Sequence, residues 1–148
     1  MEQATRDGPE RGHRAKVLLA EDDGDLRALL AEALRAEGLQ VVECPNGLSL
    51  VESLVSHLET GAEPFDLVVS DVRMPGVTGL SVLEELSEWE EHRPPPMVLI
   101  TAFGDPLLHE FAKRFGAVSL LEKPFEMTTL IRVVRGAIDG CDSVPVGA

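Results

Sequence analysis

The chain has 148 residues, 44% of them hydrophobic and 26% charged, which suits one globular domain with a full core. Its formal net charge of −13 repels phosphate backbones and argues against direct binding of DNA or RNA, while favouring basic partner surfaces. No apolar run is long enough to span a bilayer and the N-terminus carries no apolar signal-peptide core, so a cytoplasmic protein without membrane insertion is expected.

Residues 1–15 are polar, charged and glycine-containing, and read as a flexible N-terminal arm. Lys16-Val17-Leu18-Leu19-Ala20 is a short buried strand that runs into Glu21-Asp22-Asp23. Asp23 or Asp25 can cap the next helix, whose apolar stripe is Leu26, Leu29, Leu30, Ala33 and Leu34 and whose end is marked by Gly38. Acids are favoured at helix N-termini, which accounts for one or two of this cluster rather than all of it. Gln40 to Cys44 alternates less cleanly and suits an edge strand. Pro45-Asn46-Gly47 turns the chain into a second helix, with Leu48, Val51, Leu54, Val55 and Leu58 as its stripe and Gly61 near its end.

The run from Phe65 to Asp71 is a third, doubly buried strand that ends on a carboxylate. Pro75, Gly76 and Gly79 then break it and lead to a helix marked by Leu80, Leu83 and Leu86, with Val82 and Trp89 beside the stripe. Taken alone, Asp71 either caps a turn or is placed for chemistry. Glu88 to Pro96 reads as an exposed spacer. Met97-Val98-Leu99-Ile100 is a fourth buried strand, ending at Thr101-Ala102. Leu108, Phe111, Ala112 and Phe115 are the apolar face of a fourth helix. Val118-Ser119-Leu120-Leu121 leads to Glu122-Lys123-Pro124, and Met127, Leu130, Ile131, Val134 and Ile138 mark a last helix. The folded domain is expected over residues 16–139, followed by a C-terminal tail at 140–148.

His13, His57, His92 and His109 have no metal-ligand spacing and read as surface residues. Cys44 and Cys141 form neither a disulfide framework nor a zinc motif, and Cys44 reads as a small core residue near a strand end.

Strands alternating with helices predict an α/β fold of the doubly wound, flavodoxin-like kind: a five-stranded parallel sheet in the order 2-1-3-4-5 with five helices. The switch point between the first and third strands then sets Glu21 and Asp22 beside Asp71. Thr101 and Lys123 fall at the same edge. Each has an ordinary structural explanation alone, but the four strand ends together do not. Carboxylates about 4 Å apart repel by roughly 4 kcal/mol per pair at an effective dielectric near 20, and a proton or a cation must relieve them. Mg²⁺ is the expected cofactor, because it takes oxygen ligands and shares phosphate oxygens. With an ammonium and a hydroxyl nearby, such a site can hold an incoming phosphoryl group, and Asp71 is then the nucleophile.

These residues resemble a two-component response-regulator receiver domain. The resemblance is carried by Glu21-Asp22, by Asp71 with Met74-Pro75-Gly76 and Gly79, by Thr101-Ala102 and by Lys123-Pro124-Phe125. Local wording around Asp71 and Thr101 is similar to receivers of the nitrogen-regulator type, here as a stand-alone receiver without an output domain of its own. The resemblance implies that Asp71 accepts phosphate from a histidine kinase or a phosphotransfer protein, and that the signal passes by protein–protein contacts to an unknown output protein. It implies Mg²⁺ held by Glu21 through water, Asp22, Asp71 and the backbone carbonyl of Arg73, phosphoryl oxygens bound by Thr101 and Lys123, and a cis Lys123–Pro124 bond. The chain is then a switch rather than an enzyme. Leu120 stands where the family usually has Tyr or Phe, so weak coupling to the face formed by the fourth helix, fifth strand and fifth helix is expected. One alternative is an interaction module of the same fold that works without phosphorylation. Another is a dehalogenase-like phosphatase, which usually carries an acid two residues after its nucleophile; Arg73 occupies that position.

Overall fold

The computed structural model describes residues 14–60, 65–89 and 94–139, with backbone alone for 57–60. His13, His57 and His92, read as surface residues, Cys141, most of the proposed arm and the tail lie outside the described side chains.

Five strands, β1 (Lys16–Ala20), β2 (Gln40–Cys44), β3 (Leu67–Asp71), β4 (Met97–Thr101) and β5 (Ser119–Glu122), alternate with five helices, α1 (Gly24–Ala36), α2 (Gly47–Thr60), α3 (Gly79–Ser87), α4 (Pro106–Arg114) and α5 (Met127–Asp139). The strands form one parallel sheet in the order β2-β1-β3-β4-β5, as the sequence predicts. Ala15, at the end of the proposed arm, is buried, and its carbonyl accepts from Gln40 N–H.

Side chains alternate across the sheet, and this period of two divides the core. Leu18, Val68, Met97, Leu99 and Leu120 pack on one face with Leu50 and Leu54 of α2, Val82, Leu83 and Leu86 of α3 and Ala112 of α4. Val17, Leu19, Val69, Val98, Ile100 and Leu121 pack on the other with Leu30, Ala31 and Leu34 of α1 and Leu130, Val133 and Val134 of α5. β3 and β4 are buried along their whole length, whereas β2 is largely exposed, as an edge strand should be. Cys44 closes β2 as a buried, free thiol 3.8 Å from Ser53 Oγ.

The helices sit rotated from the stripes that the sequence suggests. In α1, Leu29 is 53% exposed and Ala31 is buried. In α2, Leu48 and Val55 are exposed while Leu50 is buried, and in α3 Val82 is central while Leu80 is only partly buried. Each helix docks along the arc that matches the groove between its strands, and that arc need not pass through every leucine. Asp23 is the α1 N-cap, its side chain accepting from Asp25 and Leu26 N–H, and Gly38 follows the helix with φ of 88°.

Hydrogen bonding continues past the strand ends. Glu21 N–H donates to Cys44 O at 3.1 Å, Val72 N–H to Ile100 O at 2.8 Å and Lys123 N–H to Thr101 O at 2.7 Å. These bonds fix the first residues of the loops. Gly79 opens α3 hard against β3: a Cβ there would lie 2.5 Å from Asp71 O and 2.9 Å from Ser70 Oγ. Gly24, which opens α1, has nothing closer than Arg27 Nη2 at 3.9 Å. Gly79→Ala is therefore expected to cost about 1–3 kcal/mol in urea unfolding, as overpacking does. Gly24→Ala is expected to be neutral or to stabilise by up to about 1 kcal/mol. Equal midpoints for the two variants would refute this account of the α3 junction.

Candidate functional site

Each strand end delivers its residue because the apolar run stops there while the ladder keeps the register. Ala20 pairs with Ser70, Asp71 with Ile100 and Thr101 with Glu122, so Glu21, Asp71, Thr101 and Lys123 emerge at one edge of the sheet. Among the described residues, Glu21, Asp22 and Asp71 form a cluster whose offered oxygens all lie within 4.8 Å of one another. Glu21 and Asp71 are buried, with 1% and 5% exposure, and Asp22 is exposed.

Lys123 faces two of these acids. Its Nζ donates to Asp71 Oδ2 at 3.1 Å and to Glu21 Oε1 at 3.3 Å. Its peptide bond to Pro124 is cis, as the resemblance implies. The other oxygen of Asp71, Oδ1, accepts from Arg73 N–H at 3.2 Å, and Glu21 Oε2 accepts from Asp23 N–H at 3.1 Å. Thr101 is fully buried, and its Oγ1 accepts from Phe103 N–H at 3.1 Å. That acceptance leaves the Thr101 hydroxyl hydrogen able to donate. The Arg73 guanidinium extends outward over the exposed Phe103 ring, 5.5 Å from its centroid.

One ammonium bonds two of the three clustered carboxylates, and the excess of negative charge shows in protonation. Burial, opposed by the Asp23 N–H and reinforced by the Asp71 charge, raises Glu21 to about 7. The Lys123 ammonium is raised: its desolvation lowers it, and the combined effect of its hydrogen bonds and charge pairing with Asp71 and Glu21 outweighs that. An all-oxygen donor set that retains a proton near neutrality fits a hard divalent cation, which replaces the proton and balances the charge.

The structure therefore brings together Glu21, Asp22, Asp71 and Lys123, sets Thr101 at the adjoining strand end and brings the Arg73 backbone to Asp71. Three further residues escape sequence reasoning. Arg27 of α1 donates from Nη1 to Glu21 O at 2.8 Å and from Nε to Glu43 Oε1 at 3.3 Å. Its signal was its place one turn before Leu30 and Ala31 on the inward stripe. His109, expected at the surface, is half-buried, with Nε2 2.7 Å from Glu122 Oε2 and Nδ1 buried without a partner among the described residues. Glu122 had no signal beyond its neighbour Lys123.

The family described as response regulator receiver domain matches residues 17–135. The chain is similar to the transcriptional regulatory protein PdtaR of Mycobacterium tuberculosis, 38% identical over 124 residues that cover 83% of this chain and 56% of PdtaR. It is 36% identical over 126 residues to the C4-dicarboxylate transport transcriptional regulatory protein DctD of Pseudomonas aeruginosa, covering 85% of this chain and 26% of DctD. It thus spans about half of one curated relative and about a quarter of the other. Sporulation initiation phosphotransferase F of Bacillus subtilis is 28% identical over 120 residues, 81% of this chain and 90% of that protein. Among solved structures, the chemotaxis response regulator CheY4 of Vibrio cholerae matches with a TM-score of 0.69 and 26% identity, covering 84% of this chain and 98% of that one.

Glu21 gives the site a definite pH dependence. Its pKa is near 7 when folded and about 4.5 when unfolded, so between these values the folded state binds the extra proton. Without divalent cations, stability should fall as pH rises from about 4.5 through about 7 and level off above. Lys123 has the same sign in a separate window: its contribution persists below the ordinary lysine value and is lost only at strongly alkaline pH. Glu21→Gln should stabilise the chelated protein at pH 8 by on the order of 2 kcal/mol and leave it nearly unchanged at pH 4. Urea unfolding in chelator at both pH values checks this; a variant less stable at pH 8 would contradict it.

Proposed function

The chain belongs to the response regulator receiver domain family, a signalling domain of two-component systems, and we propose that it is a switch in which Asp71 takes the phosphoryl group. The observation that carries this reading is Lys123 Nζ at 3.1 Å from Asp71 Oδ2, beside an acid cluster otherwise too negative for a phosphoryl group to approach. The donor is a phosphohistidine of a histidine kinase or of a phosphotransfer protein. A carboxylate oxygen of Asp71 attacks phosphorus, an O–P bond forms, and the N–P bond breaks with its electron pair returning to the imidazole. Glu21, Asp22, Asp71 and the Arg73 carbonyl would hold Mg²⁺, which supplies positive charge to the phosphoryl oxygens. Lys123 holds a phosphoryl oxygen by a charge-assisted bond, and the Thr101 hydroxyl donates to another. Burial of Asp71 excludes most water from the acyl phosphate. A relative that bears the name phosphotransferase covers nearly its whole length in the match, which supports phosphoryl transfer as the chemistry. Cytoplasmic placement fits this role; among the described residues no helix is long and apolar enough to cross a membrane. The signal leaves through contact with an output protein.

Incubation with acetyl phosphate and Mg²⁺ should add the mass of one phosphoryl group. Asp71→Asn should abolish it, and Lys123→Ala should reduce it by at least tenfold. Labelling that persists in Asp71→Asn would overturn the assignment, and no labelling of the wild type would favour an interaction module that works without phosphate.

Phosphorylation adds about −1.5 to −2 charge at Asp71. Leu120 is buried against Leu99 and Ala112 and can fill that apolar space whether or not Thr101 moves. A switch moves only by the difference in stabilisation between its states. On beryllofluoride and Mg²⁺ addition, amide shifts should concentrate after Asp71 and Thr101 and stay small over Leu108–Phe115 and Leu130–Val134. Shifts of equal size across those helices would show that Leu120 does not limit the response.

A further inference from the structure

The metal-binding loop needs something to aim it. Strand pairing between β1 and β2 ends at Ala20–Cys44, and Glu21 N–H still finds Cys44 O. Beyond that point the chain turns away, and the next peptide plane joins Glu21 to Asp22. Glu21 is held by its side chain, through Lys123 and Asp23 N–H. Asp22 is exposed, and among the described residues no hydrogen bond or ion pair fixes its carboxylate. Its direction depends on the peptide it projects from. A peptide is planar, so fixing the Glu21 carbonyl fixes the plane that carries Asp22 Cα.

Arg27 does this. Its Nη1 donates to the Glu21 carbonyl at 2.8 Å, and its Nε to Glu43 Oε1 at 3.3 Å. Glu43 is itself anchored by Arg35 at 3.1 Å, so the guanidinium spans from α1 to β2 with the loop carbonyl between. The fork geometry matters: a planar guanidinium makes both bonds at once, whereas an ammonium has no such fixed fork. Three mutually repelling acids give the loop a standing reason to splay, and the Arg27 bond opposes that motion.

We propose that Arg27 is a positioning residue for metal binding, which orients the Glu21–Asp22 peptide so that the Asp22 carboxylate meets Glu21 and Asp71. This rests on the reading that these acids hold Mg²⁺. Outer partners that orient ligands typically affect metal affinity by about 10–100-fold.

The test is calorimetric titration of Mg²⁺ into the full chain and its Arg27→Gln, Arg27→Lys and Arg135→Gln variants, with urea unfolding of each in chelator. Arg135→Gln removes an arginine–glutamate pair to Glu37, at the other end of α1 from the loop, and so reports what a purely structural loss does. Arg27→Gln should weaken Mg²⁺ by about tenfold, Arg27→Lys by less and Arg135→Gln hardly at all. Asp71 labelling by acetyl phosphate should need proportionately more Mg²⁺ in Arg27→Gln yet reach the wild-type rate at saturation. Unchanged Mg²⁺ affinity in Arg27→Gln, or equal weakening in Arg135→Gln, overturns the proposal while leaving the phosphoacceptor reading intact. A wild-type chain with no Mg²⁺ binding lost in Asp71→Asn overturns both.

Discussion

Mutual repulsion of three carboxylates at one sheet edge is the constraint to which this molecule is built. Their oxygens converge within 4.8 Å, and two of the three acids are buried. Like charges at such spacing cost several kcal/mol, so the arrangement persists only because the rest of the chain imposes it. The imposing force is apolar. Two core layers, one on each face of the sheet, lock five strands in register, and the strand ends follow. Lys123, directly after β5, relieves part of the strain, and a proton on Glu21 relieves more; a bound cation would complete it. A site that is destabilising when empty and relieved when filled is suited to binding, because ligand binding recovers the free energy that folding held back.

Sheet order and site were legible in the sequence because both depend on short-range signals. Unbroken apolar runs announce buried parallel strands, and the residue where each run stops is a strand end. Topology then carries Glu21, Asp71, Thr101 and Lys123 to one edge without knowledge of any side-chain contact. Helix faces were less legible. Leu29 and Leu48 fit a period of 3.6 as well as their buried neighbours do, and the choice between them is made by the groove. Ala31 and Val82 are small enough to approach the sheet closely, so they displace bulkier leucines from the inward arc.

Arg27 was hidden for a different reason. A charge on an inward stripe reads as an interruption of amphipathicity unless the position of the helix end is known. Because α1 starts beside the strand ends, Arg27 in its first turn reaches loop backbone, and polar contact is what that position demands. Glu43 lies on the edge strand β2, and two arginines of α1 converge on it.

His109 and Glu122 complete the geometry on the opposite side of the site. Thr101 and Glu122 are register partners, and Lys123 follows directly. The Glu122 side chain crosses Gly104, where a Cβ would collide with it, and reaches His109 on α4. Thr101 and Lys123 are therefore tied to α4 by a polar link that runs outside the core, while Leu120 lies within it. An apolar contact such as that of Leu120 is non-directional and tolerates small displacements. A hydrogen bond of 2.7 Å does not, because it weakens steeply with distance and angle. Directional restraint between the β5 end and α4 thus resides in His109 and Glu122 rather than in the residue at position 120.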